Sequence, residues 1–312
     1  MRRVVRMGAR GALLALVALV GIEGSLQVIA QFATDRRSPW RPGAFYRVLC
    51  VGDSHTYGAG VRAEEAYPAQ LQAHLDRLLP GVYSVMNLGV PGFNSALVRD
   101  HLPAWIAELA PSFIVAVVGV NNTWNLSDAD DVGDWRSRLA AWADRLRVVR
   151  FVESWRAHRA LDAELDHSNL PFGSRPKYAL GEHATVELGG VQEPVSEKMR
   201  PGLVDEDAVA RARRDYEQMA RTAEAHGVLL VFLGYPEPNP IFLPFTTAMR
   251  EVAALHHLPF VDGFEGVRRL SPGRMTWTFG AHAGPAGLTE IARDVAQAIL
   301  AHTPPAVHAT TR

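Results

Sequence analysis

Ser54 sits where an apolar run stops, in VLCVGDSHTYGAG (residues 48–60), and three other clusters of small and polar residues lie farther along the chain. They are Asn87-Leu88-Gly89-Val90-Pro91-Gly92-Phe93-Asn94, Gly119-Val120-Asn121-Asn122 and Ala281-His282-Ala283-Gly284-Pro285-Ala286-Gly287. A serine hydroxyl is a poor nucleophile until a base such as an imidazole takes its proton, and the charge that its attack creates needs donors aimed at it. Serine, histidine, asparagine and glycine are residue types able to supply those parts. Each cluster alone also has an ordinary reading: Gly-Asp-Ser as a helix N-cap, the Gly/Pro/Asn clusters as tight turns, the histidine as a structural side chain. Placement decides between the two.

The elements that would do the placing alternate along the chain. Strands are expected at 45–51, 82–87, 113–118, 228–234 and 258–262, several of them almost continuously apolar, as strands buried on both faces of a parallel sheet are. Between and after them, helices are expected at about 63–79, 95–109, 132–163, 206–226, 243–256 and 284–302. Asp205 suits the N-cap of the 206–226 helix, and Gly227 its C-terminal stop. This alternation predicts an α/β fold, a three-layer α/β/α sandwich with a five-stranded parallel sheet. Ligands of such sheets bind beyond the carboxyl ends of the strands. All four clusters fall on that one edge, in one order.

That order resembles the SGNH hydrolases, the GDSL esterase/lipase family, over about residues 46–302. The resemblance implies a flavodoxin-like sheet and a serine esterase that forms an acyl-enzyme. It makes Ser54 the nucleophile and His282 the general base and then the general acid. The backbone N–H groups of Ser54 and Gly92 and the side-chain amide of Asn121 would form the oxyanion hole. Glycine at 92 lets the backbone approach substrate without a Cβ in the way, and Asn121 donates without carrying charge. Asp53 is expected to brace the turn by side-chain-to-backbone hydrogen bonds. The family usually carries an aspartate three residues before the histidine, where this chain has Phe279. Either the site works as a Ser–His dyad or another group orients His282: a backbone carbonyl, Asp262 or Glu265. Asn122 stands where the family more often has aspartate. The implied substrate is a small-molecule, glycan or lipid ester. An O-acyltransferase acting on a glycan, or a catalytically silent carbohydrate-binding or assembly domain, are the alternatives.

Other groups suggest less. Asp128, Asp130, Asp131 and Asp134 resemble a calcium loop but lack its closing glutamate, since position 139 is leucine, so an acidic helix N-terminus is the better reading. His256-His257 reads as positive charge at a helix C-terminus, and Trp124 as a candidate lining of the substrate pocket. Neither a metal nor a cofactor is expected. Cys50 is the single cysteine, which rules out an intrachain disulfide, and it falls in an apolar strand pattern as a small buried hydrophobe. A formal net charge of −1 makes no electrostatic case for nucleic acid.

Of the 312 residues, 1–32 form the segment most unlike a domain. Arg2, Arg3, Arg6 and Arg10 precede GALLALVALVGI, the order of a basic and then an apolar export region. The uninterrupted apolar stretch, 11–22, is shorter than a spanning helix needs, and Glu23 follows it. A cleaved signal and an uncleaved membrane anchor both fit, and either leaves the body extracytoplasmic. Residues 33–44 read as a linker, 45–303 as the domain and 304–312 as a tail. Residues 164–204, rich in Gly and Pro, read as an insertion that is either a lid or binding loop or a mobile segment.

Overall fold

A computed structural model of the chain describes residues 40–123, 125, 206–237, 241–270, 277–278 and 282–303, the backbone of three strands between 177 and 194, and single residues at 21, 149 and 152. Five strands form one parallel sheet: β1 (Tyr46–Gly52), β2 (Tyr83–Gly89), β3 (Phe113–Val117), β7 (Leu229–Leu233) and β8 (Phe260–Val261), in the spatial order β2-β1-β3-β7-β8. These are the five segments that the apolar runs predicted. β3, FIVAV, is buried along its whole length because helices cover both faces. Helices α2 (Tyr67–Leu78), α6 (Gly263–Arg268) and α7 (Pro285–Ala301) pack on one side, and α3 (Ser95–Leu109), α4 (Glu206–Ala225) and α5 (Leu243–Leu255) on the other. The chain therefore has the three-layer α/β/α architecture expected.

The strand order puts the reversal of winding at β1, whose neighbours β2 and β3 lie on opposite sides. The crevice of a doubly wound sheet opens at such a point, above the carboxyl ends of the strands. β1 delivers Ser54 there. Its last residue, Gly52, has φ +145°, and a Cβ on it would lie 2.0 Å from the Val117 carbonyl oxygen, so only glycine lets β1 and β3 meet this closely.

Helix ends follow their chemistry. Asn94 caps α3, its Oδ1 accepting the Leu97 N–H at 2.8 Å, and Gly227, at φ +65°, takes the left-handed conformation that stops α4. His256 caps the end of α5, and His257 turns away with φ +54°. The anticipated 132–163 helix, the Asp205 cap, the Asp128–Asp134 cluster and Trp124 lie outside the described residues, except Val149 and Val152, both helical.

Inside the 164–204 insertion the backbone forms an antiparallel sheet of β4 (Lys177–Ala179), β5 (Thr185–Leu188) and β6 (Val191–Pro194). No period was legible because strands of three or four residues are too short to show one. Leu188 pairs with Val191 where β5 meets β6. Among the described residues no helix is long and apolar enough to cross a membrane, and the apolar stretch 11–22 lies outside them apart from Gly21. Cys50 is fully buried, and burial pushes its thiol up to about 12, which keeps it protonated.

Candidate active site

Ser54 opens a single-turn helix, α1 (Ser54–Tyr57), directly after β1. His282 arrives from the far end of the chain on β10 (His282–Ala283), a two-residue strand paired antiparallel with β9 (Trp277–Thr278), so that Thr278 faces His282. The His282 Nε2 lies 2.7 Å from the Ser54 Oγ, and the imidazole is buried. That is the reach a base needs to take the hydroxyl proton. Phe279 lies outside the described residues.

Two loops complete the edge. The loop after β2 carries Gly92 at φ +84°, a conformation that disfavours any residue with a Cβ. The loop after β3 coils into a 3₁₀ turn, Val120–Thr123, which presents Asn121. The Asn121 Nδ2 donates to the Phe93 carbonyl at 2.8 Å, which ties its amide to the Gly92 loop. Asn125 adds a second tie, its Nδ2 donating to the Gly92 carbonyl at 2.7 Å. Asn121 and the Gly92 loop are thus tied to each other, and the Val90 N–H, donating to the Gly52 carbonyl at 2.9 Å, ties that loop to the end of β1.

Behind these loops lies a buried polar network. Asn122 accepts the Ser95 N–H on its Oδ1 at 2.9 Å and donates from Nδ2 to the Ser95 Oγ at 2.7 Å. The Ser95 hydroxyl donates to the Asp215 Oδ2 at 2.5 Å, and the Arg99 Nη1 donates to the Asp215 Oδ1 at 2.6 Å. Asn122 is therefore a strut between the β3 loop and α3. Asp215→Ala removes a buried partner of Arg99, while Asp100, which is 42% exposed, stays in contact with it. Breaking a buried pair from one side costs about 3–5 kcal/mol. With Asp100 remaining, the expected loss is about 3 kcal/mol, read as a lower urea midpoint at unchanged slope.

The Asp53 carboxylate is fully buried. Its Oδ1 accepts the His55 backbone N–H at 2.9 Å, the turn-bracing bond expected of it. Three further contacts were not anticipated. The His55 Nδ1 lies 3.2 Å from the same oxygen, the Tyr235 hydroxyl donates to Oδ2 at 2.7 Å, and the Val120 N–H donates to the Tyr235 oxygen at 3.0 Å. Burial and the Asp53 charge hold the Tyr235 phenol well above its ordinary range, so it stays a donor. The signal for Tyr235 was its place two residues past a buried strand, on the chemical edge of the sheet.

Asp262 and Glu265, the two acids considered for orienting His282, are committed elsewhere. Asp262 is the N-cap of α6: its Oδ1 accepts the Phe264 and Glu265 N–H groups at 3.1 and 3.4 Å, and its Oδ2 accepts from Arg250 at 2.5 Å. Glu265 pairs with Arg268 one turn on. A helix start must satisfy its orphan N–H groups, and that demand claims Asp262. Among the described residues no group of His, Cys, Asp and Glu is arranged to hold a metal ion.

The solved structures that the chain is similar to include that of TesA, with a TM-score of 0.47 and 19% identity over 81% of this chain and 97% of that one. Another is LAE5, an alpha/beta hydrolase enzyme from the metagenome of Lake Arreo, Spain, with a TM-score of 0.48 and 16% identity over 84% of this chain and 98% of that one. A third is Axe2, an acetylxylan esterase from Geobacillus stearothermophilus, with a TM-score of 0.47 and 15% identity over 82% and 95%. No curated protein matches the chain. The family model described as GDSL-like Lipase/Acylhydrolase matches residues 50–289, from the end of β1 into α7, and so takes in Ser54, Gly92, Asn121 and His282. With well over half of its length matched, the chain belongs to the GDSL-like lipase/acylhydrolase family.

Proposed function

We propose that the protein is an extracytoplasmic serine esterase that cleaves carboxylic esters through an acyl-Ser54 intermediate. The observation that carries this reading is the 2.7 Å contact between the Ser54 Oγ and the His282 Nε2 at the edge where Gly92 and Asn121 converge. As Ser54 attacks the ester carbonyl carbon, its proton passes to His282. The carbonyl oxygen becomes an oxyanion facing the Ser54 and Gly92 N–H groups and the Asn121 amide. His282 then protonates the departing alcohol, and the acyl group stays on Ser54. Water, deprotonated by the same imidazole, attacks the acyl carbon and releases the acid, returning the proton to Ser54. Phe279 stands where the family usually has an acid; serine proteases stripped of their aspartate still retain catalysis. Neither cofactor nor metal takes part. Export rests on the basic residues Arg2–Arg10 ahead of the apolar 11–22 stretch, which also provides membrane contact if it is retained.

The test is hydrolysis of a p-nitrophenyl acetate, butyrate and octanoate series together with mass-spectrometric detection of a phosphonate on Ser54. Turnover of at least one ester and a Ser54 adduct are expected. Turnover that accelerates when a sugar acceptor is added would turn the reading toward acyl transfer. A chain inert to every ester, with Ser54 unlabelled, would sink the esterase and leave a silent binding domain.

A further inference from the structure

The residue next to the nucleophile is enclosed on every side that the structure describes. The His55 imidazole is 7% exposed and lies parallel to that of His282, with ring centroids 4.2 Å apart and planes 24° apart. Tyr235 and Phe242 meet it edge-on, at 4.8 and 5.3 Å. A carboxylate can only accept, so the Nδ1 that faces Asp53 carries a proton. The His55 Nε2 is buried with no hydrogen-bond partner among the described residues. A buried imidazole nitrogen left unbonded costs free energy, so packing and the Asp53 bond must hold the ring here against that cost.

We propose that His55 is a positioning residue: held through Nδ1 by Asp53, its ring is the platform on which His282 lies, and the Asp53–His55 pair supports the charge that His282 gains from Ser54. The proposal rests on the esterase reading only in needing His282 to act as the base. The Asp53 carboxylate behind the His55 ring places negative charge on the far side of the stack, and charge gained by His282 on the near side is attracted to it. The stacked geometry also removes the freedom of the His282 ring to swing out of line with Ser54, which raises the fraction of molecules ready to react. Support thus reaches His282 through its face. Among the described residues, the titratable groups placed against His55 are Asp53 in the turn, Tyr67 of α2 and Tyr235 beyond β7. Burial holds both Tyr67 and Tyr235 well above their ordinary range, with the Asp53 charge adding to it, so neither contributes charge at neutral pH.

The experiment is a pH profile of kcat/KM on p-nitrophenyl acetate, with an NMR titration of the His282 imidazole, for wild type, His55→Asn, His55→Phe and Asp53→Asn. Asparagine keeps an N–H near Asp53 without a ring, and kcat is expected to fall about 10–100-fold with KM held within about twofold. Phenylalanine keeps the ring and is expected to retain at least about a third of wild-type kcat. Asp53→Asn removes a negative charge behind the stack, so half-maximal activity is expected at a higher proton concentration than in wild type. An active wild type in which His55→Asn keeps full kcat and Asp53→Asn leaves the His282 titration in place overturns the proposal. So does His55→Phe falling as far as His55→Asn. The NMR titration needs no substrate. A wild type inert to all esters whose His282 titration still moves in Asp53→Asn would leave the support in place and remove the esterase. If His55→Asn fails to fold, the other two variants decide.

Discussion

Ser54→Ala and His282→Ala are each expected to lower kcat by about 10⁴–10⁶-fold, and the double variant is expected to be no slower than the slower single one. The reason is the 2.7 Å contact: a nucleophile and its base act as a unit, so removing either leaves nothing for the other to do. Independent contributions would instead multiply, giving a double variant slower by the product of the two losses. KM is expected to stay within a few-fold, because neither atom is needed to hold the ester before bonds change. Residual turnover above the rate in water should survive in all three, supplied by the oxyanion donors and by binding. Single-turnover kinetics on p-nitrophenyl acetate, with phosphonate labelling in parallel, separate these outcomes. Equal rates in wild type and Ser54→Ala would mean that the chemistry happens elsewhere.

Asn121→Ala is expected to cost about 10²–10³-fold in kcat with little change in KM, the effect of losing one donor to a developing oxyanion. The amide also holds the Phe93 carbonyl, so alanine alone could act by loosening the Gly92 loop. Asn121→Asp separates the two causes. It preserves the volume but puts oxygen and negative charge where the oxyanion forms, so it should be slower than alanine. A loop effect alone would make the near-isosteric aspartate the milder change. Unchanged unfolding midpoints in both variants would place the loss in the transition state.

Much of the fold was readable because its code is local. β3, FIVAV, is buried on both faces and therefore apolar throughout, and its length and spacing from neighbouring helices could be counted directly. The site was readable to the extent that its residues sit at strand ends. Ser54 and Asn121 follow apolar strands, so strand order brings them to one edge, while His282 precedes a helix and reaches Ser54 from the separate β9–β10 pair. What stayed hidden depends on contacts between distant segments. Tyr235 reaches Asp53 across 182 residues, and Ser95 reaches Asp215 across 120, and no spacing rule encodes such pairings. His55 was in plain view beside Ser54, yet its stacking on His282 follows from how a hairpin at the other end of the chain docks. Asp262 shows the opposite hazard. It lies close to His282 in sequence, but the start of α6 and Arg250 use its carboxylate.

The Ser54–His282 hydrogen bond spans 228 residues, and the helix that follows His282 packs against α2 near the beginning of the domain. A ribosome must therefore make nearly the whole domain before the hydroxyl meets its base. On the proposed mechanism, growing chains and C-terminally clipped fragments would carry Ser54 without its base, and turnover would begin only when α7 seats. For such an architecture, enzymatic rate doubles as a readout of completed folding.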